Sequence, residues 1–267
     1  MGGWVFVIAI LGLGQGYALA NDDAPVQQAI SIPSVNAGSF TLPPDIQVSA
    51  EQLADLAKNV RSQGITSLIL AGHREITDDS LAAFRGSSGL RELDLHGAGV
   101  HDDGMAVLGT LTGLESLDLG DTVITDDGLA QLKGLKNLRK LHLKNTSIDD
   151  RGLTTLQGLR KLEELDLNGV DLRGDGLVYL KGLPNLKTLD LGNTKLVGLC
   201  LTPLRSLLTL ESLDVSNTSI TNQGLAVLRG LPKLQMLNVS CTEVTDDGLA
   251  IFRSIPGFQP LNVCADR

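Results

Sequence analysis

The segment LESLDL at residues 114–119 alternates apolar and polar side chains, as a short strand does. Its frame, Leu-x-x-Leu-x-Leu, recurs every 24 residues along most of the chain. The regular copies start at Leu90, Leu114, Leu138, Leu162, Leu186, Leu210 and Leu234. A looser copy starts at Ile65, and a degraded one is expected at Phe258, Leu261 and Val263. A fixed period of this length indicates a solenoid, in which each unit buries its apolar face only against its neighbours.

The second half of each unit has the pattern of a turn followed by a short helix. Position 9 is commonly Thr, which can satisfy backbone groups in a turn, and position 11 is apolar. Position 13 is commonly Asp, as at Asp102 and Asp126, and we expect this residue to be the helix N-cap. Gly at position 21, as at Gly134, would end the helix. Each unit is therefore predicted to contain one strand, one turn and one short helix.

The consensus of these units, nearly intact from Leu114 to Leu135, resembles the leucine-rich repeat family. It is most similar to the 24-residue Thr-type repeats of bacterial secreted proteins and to the related repeats of F-box adaptor proteins. The resemblance covers residues 65 to about 263. It implies an α/β fold: a curved right-handed solenoid with a parallel sheet on the concave face and short helices on the convex face. It also implies a role in binding other proteins.

Two segments without the repeat precede it. Residues 1–20 contain an apolar run and end in small residues, which predicts a signal peptide cleaved after Ala20. Export would place the protein outside the cell, in the periplasm or in the cell envelope. Without cleavage, the same segment would remain as an amino-terminal anchor. Residues 21–47, with several Pro and scattered Ser and Gly, are predicted to be a flexible linker.

Residues 48–64 are predicted to be a capping helix. Ser49 and Gln52 form a capping-box pair, and the apolar residues that follow share one helical face. This helix would cover the first core layer of the solenoid. Residues 65–267 are assigned to the solenoid, with about eight repeats and a partial last one.

Charge composition constrains the partner. Acidic residues outnumber basic ones by 31 to 22, and the formal net charge is −9. This balance argues against nucleic acid as a partner and favours a basic protein. No membrane insertion is expected if the signal peptide is cleaved.

Equal positions of successive repeats would stack about 4.8 Å apart, so the repeat alignment predicts rows of surface side chains. At position 2 the charge alternates in sign. That row is Arg91, Glu115, Arg139, Glu163, Lys187, Glu211 and Gln235. Opposite charges on neighbouring strands each contribute about 0.2–1 kcal/mol and support the register. We interpret this row as structural.

Position 5 forms a mainly acidic row. Its members are Asp94, Asp118, His142, Asp166, Asp190, Asp214 and Asn238. Leu-Asp-Leu is a common form of this repeat, and the row could alternatively attract a cationic partner, with calcium the less favoured ligand. The repeat from Leu138 interrupts the row with basic side chains, which could pair with Glu163 and Glu164 or form a specificity contact. The predicted partner-binding residues are Asp118, Arg139, Lys140, His142, Lys144, Glu164, Asp166, Asp190 and Asp214.

Two departures from the consensus stand out. The repeat from Leu186 has Gly198 and Cys200 in place of the usual Asp and Gly, and Pro203 where the helix interior is expected, which predicts a short 3₁₀ or irregular segment. No capping element is expected after the strand at residues 258–263, so its edge could be covered by the terminal residues or by weak self-association.

The three cysteines allow one disulfide. Cys241 and Cys264 are expected on adjacent strands, close enough to pair after export. Cys200 is expected to be a packed, free thiol.

No catalytic, phosphate-binding or metal-binding motif occurs in the sequence, so we predict no enzyme activity, no cofactor and no metal. The leading hypothesis is an exported, non-enzymatic module that binds a protein through its concave face. The alternative is a structural or adhesive component of the cell envelope, held by an uncleaved amino-terminal anchor or by self-association.

Overall fold

The computed structural model describes residues 38–44, 46–253, 255 and 257–261. The predicted signal peptide and most of the predicted linker lie outside these residues, as does Cys264. The described chain alternates short strands with short helices.

The strands form a single parallel sheet in which neighbours in sequence are neighbours in space. From β3 to β9 the paired residues are 24 apart, as in Leu93 with Leu117 and Leu213 with Leu237. The ten strands of the described sheet are β1 (Ser39–Thr41), β2 (Ser67–Ile69), β3 (Glu92–Asp94), β4 (Ser116–Asp118), β5 (Lys140–His142), β6 (Glu164–Asp166), β7 (Thr188–Asp190), β8 (Ser212–Asp214), β9 (Met236–Asn238) and β10 (Gln259–Leu261). The connecting helices of successive repeats contact one another and form a second layer.

The helices are short except for the first. The α-helices are α1 (Ala50–Ser62), α2 (Asp78–Leu81), α3 (Asp102–Leu108), α4 (Asp126–Gln131), α5 (Asn222–Leu225) and α6 (Asp246–Ala250). The 3₁₀ helices are Ala82–Phe84, Leu132–Gly134, Gly152–Gly158, Asp175–Gly182, Thr202–Ser206 and Ala226–Leu228. Helix α1 starts with the predicted capping box: Ser49 Oγ accepts the Gln52 N–H (3.2 Å), and Gln52 Oε1 accepts the Ser49 N–H (2.8 Å).

An aliphatic core lies between the two layers. In the repeat from Leu114, the side chains of Leu114, Leu117 and Leu119 are at most 1% exposed. Each such burial stabilises the fold by about 1.5–3 kcal/mol. Thr122 Oγ1 donates to the Leu119 carbonyl (2.6 Å), which is the turn role predicted for Thr at position 9. The same positions are buried in the other regular repeats, so the core continues along the stack.

The helix N-cap is one residue earlier than predicted. Thr125 is the N-cap of α4, and Asp126 is the first residue of that helix. The carboxylate of Asp102, in the preceding repeat, accepts hydrogen bonds from the backbone N–H (2.8 Å) and the hydroxyl (2.6 Å) of Thr125. Asp at position 13 therefore links successive repeats instead of capping its own helix.

This link explains the Gly at position 15. A Cβ on Gly128 would collide with Asp102 Oδ1 of the preceding repeat. In the irregular part of the chain both residues change: Gly174 stands in place of Asp, and Cys200 in place of the next Gly. A Cβ on Gly174 would collide with the Cys200 Cβ, so the two substitutions compensate. Cys200 is a free, half-buried thiol whose pKa is raised by burial.

The repeat from Leu186 has a 3₁₀ helix at Thr202–Ser206, as predicted, but the predicted cause is wrong. Pro203 lies in the first turn of this helix, where its missing N–H would have no intrahelical partner. Gly152–Gly158 and Asp175–Gly182 are also 3₁₀ helices, and neither contains Pro. Pro203 is therefore compatible with this geometry without being required for it.

The structure contradicts the predicted extent of the linker, because β1 lies within residues 21–47 and pairs with β2. Phe40 and Leu42 are 8% and 3% exposed and belong to the core. The alternating sequence SFTL at residues 39–42 favours a strand. Pro43 and Pro44 break the pattern only after the strand ends.

The last strand is shifted by one residue from the predicted frame. Gln259 pairs with Met236 and Pro260 with Leu237, so Pro260 occupies position 4 of the repeat. Leu261 is 51% exposed instead of buried. The shift accompanies an aromatic contact just before the strand, where Phe258 stacks on Phe252 with ring centroids 5.1 Å apart. This aromatic contact fills the end of the core.

Candidate partner-binding face

The outer sheet face consists of the side chains at positions 3 and 5 of the strands. In β4, Leu117 points into the core and is 1% exposed, while Ser116 and Asp118 on either side are half-buried. Asp118, His142 and Asp166 are paired in register on adjacent strands, so the acidic row predicted at position 5 forms.

Most carboxylates of this row close a turn at the end of their strand. Asp118 Oδ1 accepts the Gly120 N–H (2.8 Å), and Asp190 Oδ1 accepts the Gly192 N–H (2.8 Å). Asn238 Oδ1 makes the same contact with Ser240 N–H (3.0 Å), so the turn does not require a negative charge. The turn therefore explains why a side-chain oxygen recurs at position 5. It does not explain why that side chain carries a negative charge.

His142 bridges carboxylates on both neighbouring strands. Its Nδ1 lies 3.1 Å from Asp118 Oδ2, and its Nε2 lies 3.1 Å from Glu164 Oε1. The hydrogen bond to Asp118 and the charges of both carboxylates outweigh burial and raise the pKa of His142 to about 9. The imidazole is therefore protonated at neutral pH and donates from both nitrogens.

The pKa values of the two acidic partners of His142 shift in the opposite direction and are lowered. Burial acts to raise the pKa of Asp118, but hydrogen bonds from His142 and the Gly120 amide outweigh it and lower that pKa. Burial also opposes the shift at Glu164, whose pKa is lowered by Lys140 and His142. Lys140 Nζ lies 3.0 Å from Glu164 Oε2. We call Asp118, Lys140, His142 and Glu164 the paired cluster.

The alternating charges at position 2 form a chain of ion pairs beside the paired cluster. Arg139 pairs with Glu115 (3.7 Å) and with Glu163, and Lys187 Nζ lies 2.6 Å from Glu163 Oε2. An open depression of about 250 Å³ is lined by Arg139, Lys140, Glu163, Glu164, Lys187 and Thr188. Because ion pairs between strands form its walls, a charged ligand there would have to replace existing partners.

Lys144 differs from the other basic residues of its repeat. Its side chain is exposed and forms no ion pair with another described residue. Of the predicted basic contacts, Arg139, Lys140 and His142 are thus neutralised within the sheet, and Lys144 is available to solvent.

Asp166, Asp190 and Asp214 on β6, β7 and β8 are in direct register and make no ion pair with a described basic residue. Burial and the charges of the other two carboxylates raise the pKa of Asp190. Asn168 Nδ2 donates to Asp190 Oδ1 (3.1 Å), and Asn238 Nδ2 donates to Asp214 Oδ2 (2.6 Å). The amide groups of Asn168 and Asn238 are neutral, so they do not balance the negative charge of these carboxylates. We call Asp166, Asp190 and Asp214 the acidic row.

Sequence reasoning missed a second polar network at the turns. His96 Nε2 lies 3.0 Å from Asp121 Oδ2, and Asn145 Nδ2 donates to Asp121 Oδ1 (2.9 Å). Asp121 and Asn145 both have a φ of 53°, a left-handed conformation that Asp and Asn adopt more readily than most residues. The recurring Asp, Asn or Gly at position 8 was the available signal.

Cys241 occupies the same left-handed position with a φ of 56°, which is uncommon for this residue type. It is disulfide-bonded. Its predicted partner, Cys264, lies outside the described residues, so the pairing stays a prediction.

The comparisons with known proteins agree with this architecture. The leucine rich repeat family model matches residues 111–172 and 180–245. The described chain is a leucine-rich repeat solenoid. In this fold the outer sheet face is the concave face.

Solved structures with the leucine-rich repeat solenoid include two internalins of Listeria monocytogenes str. 4b F2365. The internalin inlF is 23% identical with a TM-score of 0.60, over 84% of this chain and 66% of that chain. Internalin C2 is 23% identical with a TM-score of 0.59, over 82% and 84%. This chain thus spans just under two thirds of the inlF chain.

A third similar structure is the leucine-rich repeat ectodomain of the plant membrane receptor kinase GASSHO1/SCHENGEN3 from Arabidopsis thaliana, in complex with CASPARIAN STRIP INTEGRITY FACTOR 2. It is 21% identical with a TM-score of 0.53, over 74% of this chain and 24% of that chain. At such identities the likeness shows the fold alone. A search of the curated proteins found no match.

Two further observations concern the described part of the solenoid. It contains no group of three or more His, Cys, Asp or Glu side chains that could hold a metal ion. Along the same residues, no helix has both the length and the apolar character needed to cross a membrane.

Proposed function

We propose that this leucine-rich repeat solenoid is a non-enzymatic module that binds a protein through its concave face, at the acidic row. The observation that carries this proposal is the lack of basic partners for Asp166, Asp190 and Asp214 among the described residues. Three carboxylates stacked about 4.8 Å apart repel one another. A partner that presents Lys or Arg side chains along an extended segment would relieve this repulsion.

The paired cluster is less suited to the same role. A ligand there would have to displace His142 from Asp118 and Glu164, or Lys140 from Glu164. Breaking partly buried ion pairs has a cost that a new contact must first offset. We therefore narrow the predicted partner-binding residues to Asp166, Asp190 and Asp214, with Lys144 as a further contact at the border.

Related proteins support a binding role without identifying the partner. Leucine-rich repeat domains generally act as protein interaction modules, and the GASSHO1/SCHENGEN3 ectodomain was solved in complex with a factor. A formal net charge of −9 agrees with a basic partner.

We further propose that the protein is exported and cleaved after Ala20. The supporting observation is the apolar run and small-residue end of residues 1–20. Amino-terminal sequencing of the native protein should begin at Asn21. Recovery only with the membrane, with Met1 retained, would instead favour the anchored envelope component.

The binding site is tested by neutralising the acidic row without altering its turns. The triple variant Asp166→Asn, Asp190→Asn, Asp214→Asn keeps the turn acceptor, as Asn238 does in the native chain. Crosslinking and affinity capture in the source cells should identify a partner with the unmodified protein. We expect the triple variant to lose that partner, and the captured complex to dissociate with added salt.

The matched control changes net charge equally on the opposite side. Asp103, Asp127 and Asp247 are exposed residues in the first turns of α3, α4 and α6. Their triple change to Asn should leave capture unaffected. Equal loss in both variants would mean that net charge alone drives association, and retention in the first variant would exclude the acidic row as the site.

A further inference from the structure

The described sheet ends at β10, whose central residue is Pro260. The strand is three residues long, all of them exposed. Met236 and Leu261, on β9 and β10, are 54% and 51% exposed, so this end of the sheet also presents apolar side chains. An exposed edge with apolar side chains is prone to aggregation, because its unpaired backbone groups can pair with a strand from another molecule.

The hydrogen-bond ladder shows which backbone groups face that edge. Gln259 N–H donates to the Gln235 carbonyl (2.6 Å), and the Leu261 carbonyl accepts the Val239 N–H (2.8 Å). Gln259 and Leu261 therefore direct their backbone groups towards β9. Successive residues of a strand alternate in direction. Pro260, between them, faces the open edge.

Pro260 is the residue whose N–H would otherwise be offered to a further strand. In the preceding repeats this position is Leu, as at Leu213 and Leu237, and its N–H faces the following strand. Proline has no N–H, so within β10 no donor points outwards. The departure from Leu thus coincides with the point where the described sheet has no next strand.

At the opposite edge of the described sheet, the three residues of β1 include no proline. In β1, Phe40 pairs with Leu68, and by the same alternation Ser39 and Thr41 direct their backbone groups away from β2. Both residues are exposed and both retain an N–H. Because all strands are parallel and in order, β1 of a second copy has the right direction to continue the sheet after β10 of the first. Such a head-to-tail contact is heterologous, so it would lead to rings if its rotation closes and to filaments if it does not.

We propose that Pro260 prevents end-to-end assembly of this solenoid by removing the donor through which β10 would pair with β1 of another copy. The register of the native sheet predicts the two bonds in question. The N–H at residue 260 would donate to the Ser39 carbonyl, and the Thr41 N–H would donate to the residue 260 carbonyl. Pro260 eliminates the first bond and leaves its ring at the interface.

The experiment restores the donor in the full chain. Pro260→Leu reinstates the usual residue of the repeat, and Pro260→Ala restores the N–H without a large side chain. We expect the self-association constant from sedimentation velocity to rise at least about tenfold over the native protein in both variants. Circular dichroism and thermal melts establish that the variants are folded. Pro232→Leu, at an exposed proline in the turn before β9 and outside the strands, is the control and should remain at the native level.

A second substitution tests the geometry. Thr41→Pro removes the reciprocal donor from β1 while leaving the bonds of β1 to β2 in place, and it should return Pro260→Leu to the native level. The proposal is overturned if neither Pro260 variant associates more than the native protein. Association that persists in the double variant, or that Pro232→Leu reproduces, would equally exclude an edge-to-edge contact.

Discussion

The paired cluster and the acidic row stand on the same sheet face and share repeat position 5, but they differ in electrostatics. In the first, the carboxylates of Asp118 and Glu164 hold the His142 imidazolium between them. In the second, Asp166, Asp190 and Asp214 face one another without a described basic partner. The difference shows that a repeat position fixes the geometry of a side chain but not its charge balance. Ion pairs within the paired cluster stabilise the solenoid, and the unbalanced acidic row is where we propose that a partner binds.

The largest effect is expected from His142→Asp, which turns the paired cluster into an extension of the acidic row. It replaces a cation by a carboxylate between Asp118 and Asp166, so the free energy of unfolding should fall by about 2–3 kcal/mol. Urea unfolding at neutral pH measures this. His142→Asn removes the cation without adding charge and should be less destabilising. Equal loss in the two variants would mean that repulsion along the row is negligible.

The pH dependence of stability should separate the two regions. The pKa of His142 is raised from 6.5 to about 9 in the folded protein. Its contribution is therefore fully present below pH 6.5 and is lost as pH rises through about 9, by about 1–3 kcal/mol. Unfolding curves over this range should show the decline, and His142→Asn should flatten it. An NMR titration of His142 near its ordinary pKa would contradict the bridging geometry.

The smallest effect is expected when the same change, Asp to Asn, is made in the acidic row and in the paired cluster. Asp190→Asn keeps the turn and removes repulsion, so it should stabilise the protein by about 0.5–1 kcal/mol at neutral pH. The raised pKa of Asp190 means that its charge destabilises the fold above that pKa. The gain should therefore disappear in acid, where the carboxyl is protonated. Asp118→Asn removes a partner of His142 and should destabilise at neutral pH. If both variants changed the free energy of unfolding in the same direction, the distinction between the two regions would be wrong.

Much of the fold could be predicted from the sequence because the leucine period specifies it locally. The strands, the capping box at Ser49 and the alternating pairs at position 2 depend on residues at fixed spacing. The pairing of the basic repeat from Leu138 with Glu163 and Glu164 was one of the two predicted alternatives, and the ion pairs confirm it. Which of the two carboxylates His142 contacts could not be predicted in the same way. Its Nε2 reaches Glu164, two residues before the in-register Asp166, and that choice depends on side-chain reach in three dimensions.

Two of the remaining errors share a cause, because each concerns a residue whose role depends on a neighbouring repeat or on the end of the described sheet. Asp102 has the sequence signature of an N-cap, yet its carboxylate bonds to Thr125 in the next repeat. The register of β10 differs by one residue from the predicted frame, at the place where Phe258 stacks on Phe252 just before the strand. A periodic pattern predicts units well and predicts the contacts between units less well.

The coupling between position 13 of one repeat and position 15 of the next limits how this chain can gain or lose units. Removing residues 114–137 would set Asp102 beside Gly152, which is the native combination of residue types. Removing residues 162–185 would instead set Asp150 beside Cys200, where even a single added carbon at Gly174 collides. Although the units look alike, they are not freely interchangeable. Repeat duplication or deletion, in evolution or in design, is expected to succeed on either side of the Gly174 and Cys200 junction and to fail across it.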